Sequence, residues 1–314
     1  MKVLVLGANG FIGSHVVDAL STKGISVRAF ARPNPDQGNR FNESANVEFF
    51  SGDFFNQDDL THALEGISHV VHAISVTNPA TADNDPYIDI ELNVRSSVEL
   101  MQRCTESESV GRIIFLSSGG SIYGNDELGR PFNENDPAQP FSPYAIGKLT
   151  IENYLRYFKM RYDLGYTILR VANPYGPRQA FWKHQGVVST FLQRILRNEP
   201  ITVLGDGSMV RDYIYIGDVA EMIAEVTLNN QPRHDIYNIA SGAGVTLNQL
   251  IADIESVTGE HATIERVEAP KSFVHTSSLD VSRFNEDYTT RAMVEMRQGL
   301  GLTLNDLKLH SKLD

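Results

Sequence analysis

The sequence predicts a doubly wound parallel α/β sheet followed by a smaller C-terminal α/β lobe, and three observations carry that prediction. An apolar run, Val3-Leu4-Val5-Leu6, meets closely spaced glycines at Gly7, Gly10 and Gly13 and then an amphipathic stretch over 14–20. That order reads as buried strand, tight turn and helix. Further short apolar runs recur at 25–31, 47–50 and 70–73, with helix-length stretches between them, the alternation of a parallel sheet. Finally, Ile113-Ile114-Phe115-Leu116 delivers a serine- and glycine-rich segment, 117–124, to the carboxyl edge of the sheet, where open parallel sheets bind ligands.

The glycine turn predicts a dinucleotide site. Gly7 permits the turn, Gly10 lets backbone approach a pyrophosphate, and Gly13 lets helix pack on strand. Asn9, Phe11 and Ile12 complete this cofactor segment, where free amides at a helix N-terminus attract phosphate. The Gly-x-x-Gly-x-x-Gly spacing differs from the Gly-x-Gly-x-x-Gly of other dehydrogenases. Run 25–31 is the second strand, whose end ordinarily carries a carboxylate for the adenosine ribose. Here Ala31 offers no acceptor, and Arg32 either pairs with a 2′-phosphate or opens a solvated loop before Pro33 and Pro35. The cofactor is therefore read as NAD or NADP, leaning to NADP.

The third strand, 47–50, leads to Asp53 and Phe54 at the rim of an adenine pocket. The fourth, 70–73, ends at Ala73, and 88–104 reads as one long helix. His72 has no second histidine at metal spacing and is assigned no chemistry or metal.

Ser142 and Pro143 open the next helix as cap and first-turn residue. Tyr144 and Lys148, four apart, share one face of it. A lysine cation together with an oxidised nicotinamide favours phenolate. Bringing a tyrosine from about 10 to about 7 takes roughly 4 kcal/mol of differential stabilisation. A tyrosine so tuned can act as general base or acid on a sugar hydroxyl.

Composition bounds the partners. The 314 residues suffice for one large or two intimately joined domains, and 41% hydrophobic with 21% charged residues suits a soluble globular chain. The 27 basic against 39 acidic side chains give a net charge of −12, which argues against nucleic acid or an anionic membrane. Anionic substrate then requires locally placed arginines. The single cysteine, Cys104, excludes an internal disulfide, and with no apolar run near membrane-spanning length the expected location is cytoplasmic.

These motifs together resemble the extended short-chain dehydrogenase/reductases, in the nucleotide-sugar epimerase/dehydratase branch that includes UDP-glucose 4-epimerase. The similarity covers nearly the whole chain. It rests on the three glycines, Ser117-Ser118 with Tyr123-Gly124, Tyr144-x-x-x-Lys148, Leu169-Arg170-Val171-Ala172-Asn173-Pro174-Tyr175-Gly176, and Val210-Arg211-Asp212-Tyr213-Ile214-Tyr215 before Asp218-Val219.

The resemblance implies a Rossmann domain over 1–170 and a substrate lobe over 171–314, with some segments returning to the first domain. It implies Tyr144 as acid/base, Lys148 on the nicotinamide ribose, Asn93 supporting the lysine region, and Asn173 and Arg211 on substrate diphosphate. Arg211 can alternatively pair with its neighbour Asp212. Arg178, Gly186, Val187 and Lys271 are further substrate candidates; Lys271 stands where relatives often have a phosphate-binding arginine. The polar segment through Phe181 and Trp182 looks like a loop over sugar or uracil.

Two departures from the family pattern matter. Gly119 stands where relatives carry a catalytic Ser or Thr, so that hydroxyl comes from Ser118, Ser121 or a water; Ser118 is expected, with Gly119 and Ser121 beside the sugar. The other is Ala31-Arg32 in place of an acidic residue. The expected activity is 4-epimerisation of a UDP-hexose or UDP-N-acetylhexosamine. An NADPH-dependent 4-keto-6-deoxy-sugar-nucleotide reductase is the alternative, and a non-catalytic dinucleotide sensor a third reading. Apolar residues Ile151, Tyr154, Leu155, Phe158 and Tyr162, more than one side of a sheet can cover, predict a homodimer through 89–104 and 144–162.

Overall fold

A computed structural model describes residues 1–33, 38–125, 129–179, 186–269, 274–288 and 292–310. Lys271, Phe181 and Trp182 lie outside them. The strands are β1 (Lys2–Leu6), β2 (Ser26–Ala31), β3 (Val47–Ser51), β4 (His69–His72), β5 (Arg112–Ser118), β6 (Gly165–Val171), β7 (Asn173–Tyr175), β8 (Ile201–Leu204), β9 (Val210–Tyr215), β10 (Ile236–Ile239), β11 (Gly244–Thr246), β12 (Ile264–Val267) and β13 (Thr276–Ser277).

Seven strands form one parallel sheet of order β3-β2-β1-β4-β5-β6-β10. Val3 registers with Val27 on one side and with His69 on the other. Chain order reverses between β1 and β4, so the crevice beyond their carboxyl ends is the natural ligand position. The strands are nearly continuous apolar runs because helices cover both faces. Leu4, Leu6, Val70, Ile113, Phe115 and Ile168 pack with helix residues Leu60, Leu100, Ile151 and Leu155 in one core.

The chain divides into two compact units. One comprises 1–122, 138–170 and 220–237; the other comprises 123–137, 171–219 and 238–314. Segment 123–137 belongs to the second because Phe132 bridges Leu279 and the Tyr123 hydroxyl donates to Asn238 at 2.7 Å. Segment 220–237 belongs to the first because Arg112 donates to the carbonyls of Val226 and Thr227. In the second unit β9 is flanked by β11 and β13 and also pairs β7, while β8 pairs β12. Phe191, Leu192, Ile201, Val203, Leu250, Ile254 and Leu300 form its core.

The stretch read as one helix over 88–104 is broken. A short Pro86–Ile88 turn runs into a π-helix, Asp89–Arg95, and only then into the α-helix Ser96–Glu106. Side-chain bonds compete with the helical ladder here: Asn93 donates to Asp89, and Ser97 Oγ donates to the Asn93 carbonyl at 2.6 Å.

The apolar surplus also differs from expectation. Ile151, Leu155 and Phe158 are spent in the core of their own unit. The exposed apolar set on the Pro143–Tyr162 helix is Ile146, Tyr154, Tyr157, Met160 and Tyr162, and Tyr87, Ile88 and Ile90 are exposed around the start of the Asp89–Arg95 turn. Among the described residues no helix is long and apolar enough to cross a membrane.

Candidate active site

The glycine turn is built so tightly that side chains do not fit. Gly7 and Ala8 amides both donate to the Phe30 carbonyl at 3.1 Å, and Gly10 N donates to Gly7 O at 2.8 Å. With φ of +84° at Gly7, a β-carbon there would meet Ile74 at 3.1 Å; one at Gly10 would meet Gly7 O at 2.9 Å, and one at Gly13 would overlap it. The helix Phe11–Thr22 starts at Gly10 with no side-chain cap and no acidic residue in its first turn. Its orphan amides and dipole therefore remain available to an anion. A cradle emptied of β-carbons before an uncapped helix fits a dinucleotide pyrophosphate.

Around the cradle, Asn9 accepts from the Arg40 amide at 3.1 Å, and Ala73 N donates to Leu6 O at 3.1 Å. Arg32 is exposed immediately after β2. Half-buried Asp53 is braced locally: its amide donates to Asp59, and its carboxylate accepts from Phe55 N at 3.1 Å. The Phe54 ring lies in the core against His72. His72 itself bonds Ser97 at 2.9 Å, and burial first, then the Lys148 charge, pushes its pKa down to about 3. It is a neutral packing group.

Tyr144 and Lys148, the pair that the sequence picks out, sit on the Pro143–Tyr162 helix, which Ser142 caps by accepting from Ala145 N at 3.3 Å. Lys148 is buried, donates from Nζ to the Leu116 carbonyl at 3.0 Å, and lies 4.9 Å from the Phe115 ring centre and 5.8 Å from that of Tyr144. Burial pulls its pKa down to about 8, opposed by the charges of Asp89 and Glu152. Half-buried Tyr144 is pushed up to about 12; burial is the main cause, a hydrogen bond with Ser118 opposes it, and Asp89 adds to it. The protein's own groups by themselves thus favour the phenol, opposite to the pull toward pH 7 that the sequence reading ascribes to lysine and nicotinamide together.

Ser121 Oγ donates to Ser118 Oγ at 2.8 Å, and Ser118 lies close enough to Tyr144 to oppose the upward push on its phenol. The two serines meet because β5 ends at Ser118 and the chain turns at once into the Gly119–Ile122 helix. Behind them, Ser117 donates to Glu152 at 2.7 Å, and Glu152 pairs with Arg170 at 2.8 Å in the interior. Asn93 acts next to the lysine helix rather than on Lys148: it accepts from Val76 N and donates to Thr77 and Asp89. Sequence reading passes over Asp89 and Thr77; the only available signal is the i,i+4 spacing of Asp89 and Asn93.

In the second unit, Asn173 donates to the Asp212 carbonyl at 2.9 Å. Asp212 receives Ser241 and Gly242 on its carboxylate. Arg211 is held by the main-chain carbonyls of Val210, Val274 and His275. Arg178, at φ +65°, donates its amide to Asp306. Gly186, at φ +90°, is the uncapped N-cap of the helix that Val187 begins, and a side chain there would overlap the Gln179 amide.

Comparison with known proteins places this arrangement. Residues 3–240 match the NAD dependent epimerase/dehydratase family. The UDP-glucose 4-epimerase of Mycolicibacterium smegmatis is 30% identical over 312 residues, covering 97% of each chain. The UDP-glucose 4-epimerase of Thermotoga maritima, solved with UDP-glucose, superposes with a TM-score of 0.89 at 33% identity, covering 98% of this chain and 99% of that one. The Thermus thermophilus UDP-glucose 4-epimerase, solved with NAD, gives 0.88 at 31% identity, covering 99% and 100%. Since the family match spans most of the chain and includes both the glycine cradle and the Tyr144–Lys148 helix, this protein belongs to the NAD dependent epimerase/dehydratase family.

Proposed function

We propose that this enzyme is an NAD(P)-dependent 4-epimerase of a UDP-hexose or UDP-N-acetylhexosamine. The observation that carries the reading is the placement of Tyr144 and Lys148 on one helix, with the hydrogen-bonded Ser121–Ser118 pair beside Tyr144 at the end of β5. Tyr144 Oη takes the proton of the sugar C4 hydroxyl, and Ser118 supplies the hydroxyl that Gly119 lacks, holding that oxygen through the keto stage. The same tyrosine returns the proton after the 4-keto sugar has turned over. Gly7, Gly10, Gly13 and the helix at Phe11 hold the pyrophosphate, Asn9, Asp53, Phe54, Ala73 and Asn93 shape the cofactor site, and Lys148 takes the nicotinamide ribose. Bound nicotinamide supplies a hydride acceptor and donor for C4. Asn173, Arg178, Gly186, Val187, Arg211 and Lys271 serve the nucleotide diphosphate.

Ala31-Arg32 supports NADP(H) binding at least as tight as NAD(H), since a carboxylate that would repel a 2′-phosphate is missing and an exposed guanidinium follows. The same feature favours a second reading, an NADPH-dependent reductase of a 4-keto-6-deoxy sugar nucleotide. Tyr144 and Lys148 together speak against a non-catalytic sensor. We place the enzyme in the cytoplasm as a homodimer. The test is to denature purified protein, identify the released dinucleotide, and incubate UDP-glucose and UDP-N-acetylglucosamine with and without NADPH. Galacto-configured product without added reductant supports the epimerase; stoichiometric NADPH consumption on a 4-keto sugar nucleotide, with no epimer, replaces it by the reductase.

A further inference from the structure

A buried carboxylate sits against the acid/base helix in a space made for it. Asp89 is 2% exposed. Its Oδ1 accepts from Thr77 Oγ1 and from Asn93 Nδ2. Its Oδ2 occupies the volume a side chain at Gly147 would need, so a β-carbon there would overlap it. Gly147 lies between Tyr144 and Lys148, and its φ is not in the left-handed region. A glycine inside a 20-residue helix costs roughly 0.5–1 kcal/mol relative to alanine. Backbone conformation does not require glycine at this position; the room for Asp89 does. The carboxylate is carried there by a π-helical turn, a form that concentrates at functional sites.

From this geometry we infer that Asp89 is a positioning residue of the active site, the counter-charge that keeps buried Lys148 a cation beside Tyr144. The charged and titratable groups around Lys148 are Tyr144 and Glu152 on its own helix, His72 from β4, and Asp89 from the π-turn. Glu152 is committed to Arg170 and Ser117. His72 is neutral. Asp89 is therefore the anion in this group whose side-chain hydrogen bonds go to a hydroxyl and an amide rather than to a cation. Burial draws Lys148 down even with Asp89 in place, so removing the carboxylate lowers its charged fraction from neutral pH upward. The inference rests on Tyr144 and Lys148 being the reacting pair.

The test reads Lys148 directly, without turnover, so its failure and failure of the proposed activity are separate results. Protein labelled with ¹³Cε-lysine is titrated by NMR, the Lys148 signal being assigned by its loss in Lys148→Met. In Asp89→Asn, which preserves shape, the Lys148 midpoint falls by about one pH unit, the lower end of what one nearby opposite charge exerts. Turnover then falls by about threefold at pH 7.5 and nearly tenfold at pH 8.5, with little change at pH 6 or in KM, as the charged fraction of such a lysine dictates. Gly147→Ala provides a second route that retains the acid and removes a helix-interior glycine: its methyl displaces the carboxylate, lowering the midpoint in the parent but adding nothing in the Asp89→Asn background. Equal Lys148 midpoints in parent and Asp89→Asn, or an equal effect of Gly147→Ala in both backgrounds, would overturn the assignment.

Discussion

Tyr144 is where the proposed reaction moves a proton, and its neighbours determine what each nearby substitution does. Tyr144→Phe removes the transferring group but little binding area, so turnover is expected to fall by about 10²–10⁴-fold. The dinucleotide released on denaturation should be unchanged in amount. Ser118 bears on the Tyr144 phenol, whereas Ser121 bonds Ser118. Ser118→Ala should therefore cost more in kcat than Ser121→Ala; the reverse order would move the role to Ser121. Lys148 also leaves a mark on stability. Its folded pKa of about 8 lies below the ordinary lysine value of 10.5, so the unfolded chain binds more protons between those values and stability rises with pH there. From pH 8 to pH 10 this one group contributes about 2 kcal/mol, which denaturant melts should show in the parent and lose in Lys148→Met.

At the scale of elements, the glycine turn is a packing device before it is a binding one. Gly13 has no room for a methyl against the Gly7 carbonyl, and the helix Phe11–Thr22 can move off only by giving up contacts of buried Val16, Val17 and Leu20. Gly13→Ala is thus expected to destabilise by about 1–3 kcal/mol, the range of overpacking. It should also weaken NAD(P) by swinging the amide end away from the phosphates, which isothermal titration and thermal melts would report together. This element was legible from residue spacing alone. The Asp89–Arg95 π-turn was not. Its side chains bond Thr77, Val76 and Ser97, and no periodicity of the stretch itself encodes those partners.

For the whole molecule, the exposed apolar face of the Pro143–Tyr162 helix is the feature left to explain. Tyr157 is 51% and Met160 88% exposed. Tyr157→Lys with Met160→Glu should turn a sedimenting dimer into a monomer with unchanged near-ultraviolet dichroism, because neither side chain serves the core. A parent that already sediments as a monomer at micromolar concentration would exclude the homodimer. Ile151, Leu155 and Phe158 could not be told from this set in the sequence, since both faces of the helix are apolar and only the sheet decides which face is covered. The chain's division between its two units likewise depends on long-range pairings, Phe132 with Leu279 and Arg112 with the 226–227 carbonyls.

What the sequence by itself determined was whatever depends on local spacing: the strand–turn–helix with its three glycines, the Ser142 cap, and Tyr144 and Lys148 on one helical face. Strand runs were legible for the same reason, because burial on both faces leaves a continuous apolar signature. Tertiary structure alone decided the protonation balance of the site. The Tyr144 pKa is raised by burial and by Asp89, and Lys148 is turned from its helix to the Leu116 carbonyl of β5. It also decided that Asp212 is anchored at Ser241 and Gly242 while Arg211 is held by main-chain carbonyls. Desolvation and Coulomb interactions act through space, between residues whose separation in the chain says nothing about their distance in the fold.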